Sequence, residues 1–329
     1  MYSISRINTF NTCEYEYYNT YIKKNRGIGN VYSEVGTWIH DTIEDAYRQQ
    51  NFSKSELIDG LHVKLMELDF LGIDFPNDSI KESFTKDVDA FMKSFSLLDG
   101  EFTLEKMFIT NINEDIILLG YIDAIQKDRD GKYHIIDWKT SSKFTGKKLQ
   151  EAGRQLLVYK LGIEQNSDIK VESVKWAMLK YIYVCWVQKN GKVKKKMVNR
   201  GKLIKDMRKA FEKDMLNSGM DDIEVQLLLA EAENNNNYDN LPEVIKEKYW
   251  TEDCFVEYDS SEDQMQEMKG YIIDTVSAIQ NKHVDDESDW NPVDFKRDGT
   301  FYCNTLCSHR MSCNFIKDWN SKNKSRGLF

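Results

Sequence analysis

The sequence predicts a mixed α/β fold: a central mixed β-sheet flanked by helices, with helical additions at both ends. Three observations predict it. Three consecutive strand-like runs occupy 101–140, separated by turn signals. A helical pattern and two further strand-like runs follow them. Helical periodicity fills 1–100 and returns in 201–290. We expect one domain over 1–329, in four parts: a helical part at 1–100, a sheet core at 101–200, a second helical part at 201–290, and a cysteine-rich end at 291–329.

In the first part, Ser3 and Ser5 are candidate N-caps for a helix running through Arg6, Ile7, Phe10, Cys13 and Tyr17. A second helix is expected from about Ser33 to Gln49, with the apolar stripe Val35, Ile39, Ile43 and Ala46. Helical patterns recur in 54–71 and 79–97. The period then changes. Glu101–Ile112, Asp115–Lys127 and Lys132–Thr140 read as strands, with turns at Asn113-Glu114 and Arg129-Asp130-Gly131. A helix is expected over Lys147–Ile163. Val174–Val187 is β-branched and aromatic, as suits a buried strand, and Asn190-Gly191 turns it into the basic strand Lys192–Arg200. Residues 201–290 read as helical, broken by a loop or disordered stretch at Asn234–Asn237. Residues 291–329 show little periodicity, and the chain has no internal repeat.

The chain has 329 residues, and 41% of them are hydrophobic, enough for a substantial core. Its apolar runs fall short of the roughly 20 residues that span a bilayer. The start, Met1-Tyr2-Ser3-Ile4-Ser5-Arg6, has no signal-peptide pattern, so a cytoplasmic protein is expected, without a membrane partner. A net charge of −9 argues against a general affinity for polyanions. Charge is uneven, however. Lys189–Lys205 is strongly basic and Asp221–Asp263 is acidic, so a local arm for phosphate and a plain solvated hairpin are both open. Of six cysteines, Cys185 and Cys254 lie in strand-like apolar contexts and read as core, whereas Cys13, Cys303, Cys307 and Cys313 read as metal ligands.

The sharpest local signal is Gly120-Tyr121-Ile122-Asp123 followed by Asp137-Trp138-Lys139. Alternation on a strand puts Asp137 and Lys139 on one side. If Arg129-Asp130-Gly131 is the hairpin loop, paired residue numbers sum to 260 and Asp123 lies opposite Asp137. Two carboxylates and an ammonium then converge. Adjacent carboxylates repel, and a divalent cation relieves the repulsion. A bare Asp-x-Lys is common on exposed strands, but here both aspartates sit within apolar strands. Gln155 and Tyr159 share one face of the following helix, with Arg154 beside them. His40 lies one turn after Gly36, where backbone could approach closely.

Taken in order, His40, Gly-x-Ile-Asp at 120–123, Asp-x-Lys at 137–139 and Gln-x-x-x-Tyr at 155–159 resemble the motif set of the RecB-like PD-(D/E)XK nucleases, which include AddB and the CRISPR-adaptation exonucleases. The resemblance implies a restriction-endonuclease-like core. It implies Mg²⁺ or Mn²⁺ held by His40, Asp123, Asp137 and the Trp138 carbonyl, with Lys139 as catalytic lysine. Asp123 and Asp137 would thus be both ligands and catalytic groups. Gln155 and Tyr159 would shape the site and contact DNA, and Glu105 falls at a further acidic position.

The trio Cys303, Cys307 and Cys313 needs a fourth ligand to close a tetrahedral site. The resemblance implies that Cys13 supplies it and that a 4Fe–4S cluster ties the two end segments together. Zinc, with Cys13 or His309 as fourth ligand, is the alternative. Three residues separate Cys303 from Cys307, where the family more often has two.

The expected function is therefore a metal-dependent deoxyribonuclease, an exonuclease of recombination, repair or phage genome processing. Its DNA would be single-stranded or carry a free end. A recombinase, helicase or single-strand-binding protein would be its partner, since the chain has no Gly-x4-Gly-Lys-Ser/Thr motif of its own. The competing reading is a non-catalytic DNA-binding or metal-stabilised scaffold on the same fold.

Overall fold

The structure is a computed structural model and describes residues 1–324. The N-terminal part holds α1 (Ile4–Thr12), α2 (Glu14–Tyr17), α3 (Val31–Gln49), α4 (Lys54–Phe70) and α5 (Asp78–Ser94). The middle holds β1 (Glu101–Asn111), β2 (Ile117–Lys127), β3 (Tyr133–Lys139), α6 (Lys147–Asn166), β4 (Val171–Val187) and β5 (Val193–Asn199). Then come α7 (Leu203–Asn217), α8 (Asp222–Asn235), α9 (Glu243–Lys246), β6 (Tyr249–Tyr258), α10 (Glu262–Gln280) and α11 (Asn314–Lys324). Among the described residues, no helix is long and apolar enough to cross a membrane.

The six strands form one mixed sheet, as the sequence predicts. β1, β2 and β3 are antiparallel neighbours, β3 and β4 are parallel, and β4 is antiparallel to both β5 and β6. β6 follows one edge of β4 from Val174 to Trp186. β3 and β5 must therefore share the other edge, β3 against Val171–Met178 and β5 against Tyr181–Val187. They lie end to end, and β5 continues the sheet beyond the last residue of β3.

Helices cover both faces. On one, Leu156, Leu157 and Val158 of α6, Met268 and Ile272 of α10 and Ile4 and Ile7 of α1 pack against Ile122, Ile135 and Trp176. On the other, α3, α4 and α5 bury Ile39, Leu61 and Val88 against Ala124, Ile136 and Trp138. A third apolar cluster joins α7, α8 and α9 to Val184 and Val198, under the outer half of β4 and β5.

Four expectations are corrected. Residues 201–290 are not wholly helical: β6 lies within them. Its tight spacing of Glu252, Asp253 and Glu257 masks a strand that buries Tyr249 on one face and Cys254 on the other. The first helix does not run through Cys13. Cys13 is extended (φ −157°), closing α1 and capping α2 through its sulfur. Asn234–Asn237 is a loop only in its second half: α8 runs on to Asn235, left-handed Asn236 (φ 50°) follows, and its side chain bonds Arg200 O and Ile204 N. The cysteine-rich end is more regular than its composition suggests, with a π-helical turn at Tyr302–Leu306 and then α11.

Candidate active site

The β2–β3 register follows the hairpin arithmetic. Ala124 faces Ile136, Ile125 faces Ile135, Gln126 faces His134 and Lys127 faces Tyr133. Pairing then lapses at Asp123 and Asp137, where the strands part. Pairing of β1 with β2 also lapses at this level, between Leu104↔Ala124 and Lys106↔Ile122. The residue skipped there is Glu105, which has a left-handed φ of 47°. Leu104 and Ala124 pack on the α3 side, but Phe108 and Ile122 pack on the α6 side. Strict alternation would put all four on one face. The strands thus change faces at Asp123, which lets its carboxylate meet groups from both layers.

Those groups are specific. His40 of α3 approaches Asp123 with Nδ1 at 3.4 Å, and its Nε2 lies 2.7 Å from the carbonyl oxygen of Trp138. The Trp138 N–H donates to Asp123 Oδ2 at 3.1 Å. Lys139 Nζ stands 2.7 Å from Asp137 Oδ2 and donates to Gln155 Oε1 at 3.3 Å. Gln155 Nε2 donates to the Tyr159 hydroxyl at 2.6 Å. All seven residues named as site residues from the sequence motifs, His40, Asp123, Asp137, Trp138, Lys139, Gln155 and Tyr159, therefore form one connected group. A Cβ built on Gly36 would lie 3.4 Å from Thr140 Oγ1, so the approach expected at that glycine comes from the residue after Lys139. Arg154 does not join the group. It turns to α10, pairs with Glu267 and lies 3.6 Å over the Tyr271 ring.

The electrostatics of the patch are those of too much negative charge in too little water. Asp137 is 1% exposed, and neither of its oxygens accepts a well-aligned hydrogen bond. Burial, and then repulsion from Asp137, push the Asp123 carboxyl well above its ordinary range, against the pull of Lys139 and the Trp138 N–H. Burial alone would lower Lys139, but Asp137 and Asp123 outweigh it and hold the ammonium above its usual value. Burial and Lys139 hold His40 below its usual value, which favours the neutral imidazole that ligates metals. Asp41 and Glu44 of α3 extend the acidic field to Glu105, whose carboxyl is raised by burial and by both of them. Their nearness to His40 in sequence was the available signal for these two, and the sequence reading did not use it.

The donor set suits a hard divalent cation: two carboxylates, a carbonyl oxygen and a neutral imidazole. The buried Asp137 oxygens, which have an ion pair to Lys139 but no well-aligned hydrogen bond, are what such an ion would satisfy. Lys139 occupies the position beside them here. Among the described residues, no three His, Cys, Asp or Glu side chains are already gathered in ligand geometry.

The structure brings three of the four expected cysteine ligands into one cluster, though among the described residues not in metal-ligand geometry. Cys13, Cys303 and Cys313 share one apolar cluster with Val293 and Ile316. Cys307 lies close enough for its thiol to feel Cys13 and Cys303. Burial, then the Cys13 and Cys313 thiols and the Glu16 carboxylate, pushes Cys303 up to about 12. The buried carboxylate of Glu16 accepts from Tyr302 OH and from Ser308 N and Oγ beside them. His309 is buried but bonded to the Thr20 hydroxyl at 2.9 Å. Cys185 and Cys254 are buried in the sheet, as expected.

A family model for the PD-(D/E)XK nuclease superfamily matches residues 1–314. The chain belongs to the PD-(D/E)XK nuclease superfamily. No curated protein gives a match. Its six-stranded mixed sheet with flanking helices is accordingly a restriction-endonuclease-like core. As a PD-(D/E)XK nuclease it is a phosphodiester hydrolase of a superfamily that usually employs Mg²⁺ or Mn²⁺.

Proposed function

We propose that this PD-(D/E)XK nuclease is a metal-dependent exonuclease of DNA, of the RecB-like kind, acting in recombination, repair or phage genome processing. The observation that carries the reading is the linked set His40–Asp123–Trp138 and Asp137–Lys139–Gln155–Tyr159 at the point where β2 and β3 part. Asp123, Asp137, His40 and the Trp138 carbonyl would hold Mg²⁺ or Mn²⁺, with the imidazole favouring Mn²⁺. When bound, the ion supplies a Lewis acid and an acidified water.

The chain's own groups supply the rest. Lys139 places a fixed positive charge where negative charge grows on the phosphate, without reorganising at the moment of reaction. Gln155, anchored by Tyr159, fixes the direction from which Lys139 approaches. The apolar layers behind Asp123 and Asp137 keep bulk water from screening these charges.

The four cysteines support a second, structural centre, a 4Fe–4S cluster with zinc as the alternative ion. Cys13 is favoured over His309 as fourth ligand because it shares the cysteine cluster, whereas His309 is engaged by Thr20. A metal ion binding there would deprotonate these thiols against the burial and mutual repulsion that raise them.

The test is cleavage of end-labelled single- and double-stranded DNA by anaerobically purified protein, with Mn²⁺, Mg²⁺ or EDTA, comparing wild type with Lys139→Ala. Metal-dependent cleavage that vanishes in the variant is expected. If neither folded protein cuts any substrate with any metal, the scaffold reading replaces the catalytic one. Iron, sulfide and zinc analysis of the same preparation decides the cysteine centre.

A further inference from the structure

We propose that a single strand of DNA crosses the outer half of β4, β5 and β6, its bases stacking on Tyr181, Tyr183 and Trp250 and its phosphates met by lysines of the β4–β5 hairpin. The proposal rests on the nuclease reading for its direction towards the site, though the binding it describes does not require cleavage.

Register shows that these rings lie on the catalytic face. Asp137 sits beside Trp176 and Lys139 beside Met178. Trp176 sits beside Val256 of β6, and alternation carries that face on through Cys254, Glu252 and Trp250. Tyr183 registers with Glu252 on one side and Met197 on the other, and Tyr181 registers with Asn199. Tyr181, Tyr183 and Met197 pack against the same apolar cluster as Trp176 and Met178.

The face emerges from its cover as it leaves the site. Met178 is buried, Tyr181, Tyr183 and Met197 are half-buried, and Val187 and Val193 are each 52% exposed at the hairpin tip. Trp250 is 37% exposed. The reverse face of the same strands is buried under α7, α8 and α9 through Val184 and Val198. A sheet covered on one side ordinarily shows polar residues on the other. This one sets two tyrosines, a tryptophan, a methionine and two valines among Lys195, Asn199 and Glu252.

Charge selects the occupant. Lys189, Lys192, Lys194 and Lys195 are exposed on the hairpin of a chain whose net charge is −9. Lys195 projects on the aromatic face, where it pairs with Glu252, and Lys194 lies over the Trp186 ring on the reverse face. Aromatic faces beside concentrated cations suit a polyanion with accessible rings, and less an apolar protein partner. Spacing then separates single strand from duplex. Alternate strand residues such as Tyr181 and Tyr183 lie roughly 6.6 Å apart, about twice the ~3.4 Å rise of stacked bases. Rings so spaced fit bases splayed from one another, which a duplex does not offer. β4 is irregular between Ala177 and Ile182, where β6 advances only from Phe255 to Asp253, so Met178 and Tyr181 keep one face and the row begins close to the strand level of Lys139.

The experiment is anisotropy of a fluorescent oligothymidylate titrated with the full chain in EDTA, where cleavage does not interfere. Trp250→Ala alters an exposed position, and Tyr183→Leu keeps apolar volume while removing the ring; circular dichroism confirms that each folds. The pair is expected to weaken binding at least tenfold, with a blunt duplex competing poorly against wild type. Replacing Lys189, Lys192 and Lys195 by alanine is expected to flatten the slope of log K against log salt by about 2, at ~0.7 per phosphate contact. Folded ring variants that bind like wild type, or a duplex that competes equally, would overturn the proposal. Tight binding by wild type without metal-dependent cleavage would sink the nuclease reading and leave the platform standing.

Discussion

His40 and Trp138 come from segments 98 residues apart, yet the His40 Nε2 stands 2.7 Å from the Trp138 carbonyl oxygen. That contact ties α3 to the strand carrying Asp137 and Lys139, and it uses the ring nitrogen and the carbonyl that a cation would otherwise recruit. Metal entry therefore has to exchange a hydrogen bond for ligation. His40→Ala is expected to weaken Mn²⁺ binding by tenfold or more in calorimetry and to lower cleavage in proportion. Unchanged affinity would remove His40 from the ligand set.

Asp123 offers a stability test with a defined sign. Its folded carboxyl sits above the ordinary range because of burial and then Asp137. Such a group favours the folded state at pH below its unfolded value, about 4, and loses that contribution as pH rises through the elevated folded value. Metal-free wild type should therefore lose melting temperature relative to Asp123→Asn between about pH 4 and pH 8. Mg²⁺ or Mn²⁺ should restore wild type and leave the variant unchanged. Parallel pH curves for the two proteins would contradict the assignment.

Gly153 packs α6 onto β6. A Cβ there would fall 2.1 Å from the Tyr258 ring. Gly153→Ala should cost about 1–3 kcal/mol of stability in urea unfolding, the usual penalty for overpacking. Because Gln155 lies two residues on, cleavage should fall as well, through kcat more than KM. A neutral effect on both would mean that the Tyr258 ring yields freely.

Cys13→Ser should release iron or zinc and lower stability by more than about 3 kcal/mol, since metal binding here would be folding energy. Limited proteolysis should then open the segment around Cys303–Cys313 first. Cys185→Ser, in the sheet core, should leave metal content untouched.

Much of the site was legible because hairpins obey arithmetic. One glycine turn at Arg129-Asp130-Gly131 fixes the register from Lys127↔Tyr133 to Ala124↔Ile136, and so brings Asp123 and Asp137 to the same level where the strands part. Gln155 and Tyr159 were legible for the same kind of reason, helical spacing. His40 is different: nothing in 98 residues of intervening chain fixes where α3 docks, and only the resemblance pointed to it. Arg154 was misplaced because adjacency in a helix means a turn of about 100° (3.6 residues per turn), which carries it to α10. β6 was missed because its carboxylates lie on the solvent side and at the Arg200 pair, which reads as polar helix until β4 is there to receive it.

β3 and β5 sharing one edge of β4 has a consequence for how such a protein can vary. The two half-strands are joined through β4 alone, so residues added to or removed from the hairpin tip alter how far the sheet reaches without changing the register of Asp137 against Trp176. Reach and chemistry are separately adjustable parts of one surface, and the hairpin behaves as a ruler whose length sets the distance between the point of capture and the point of cutting.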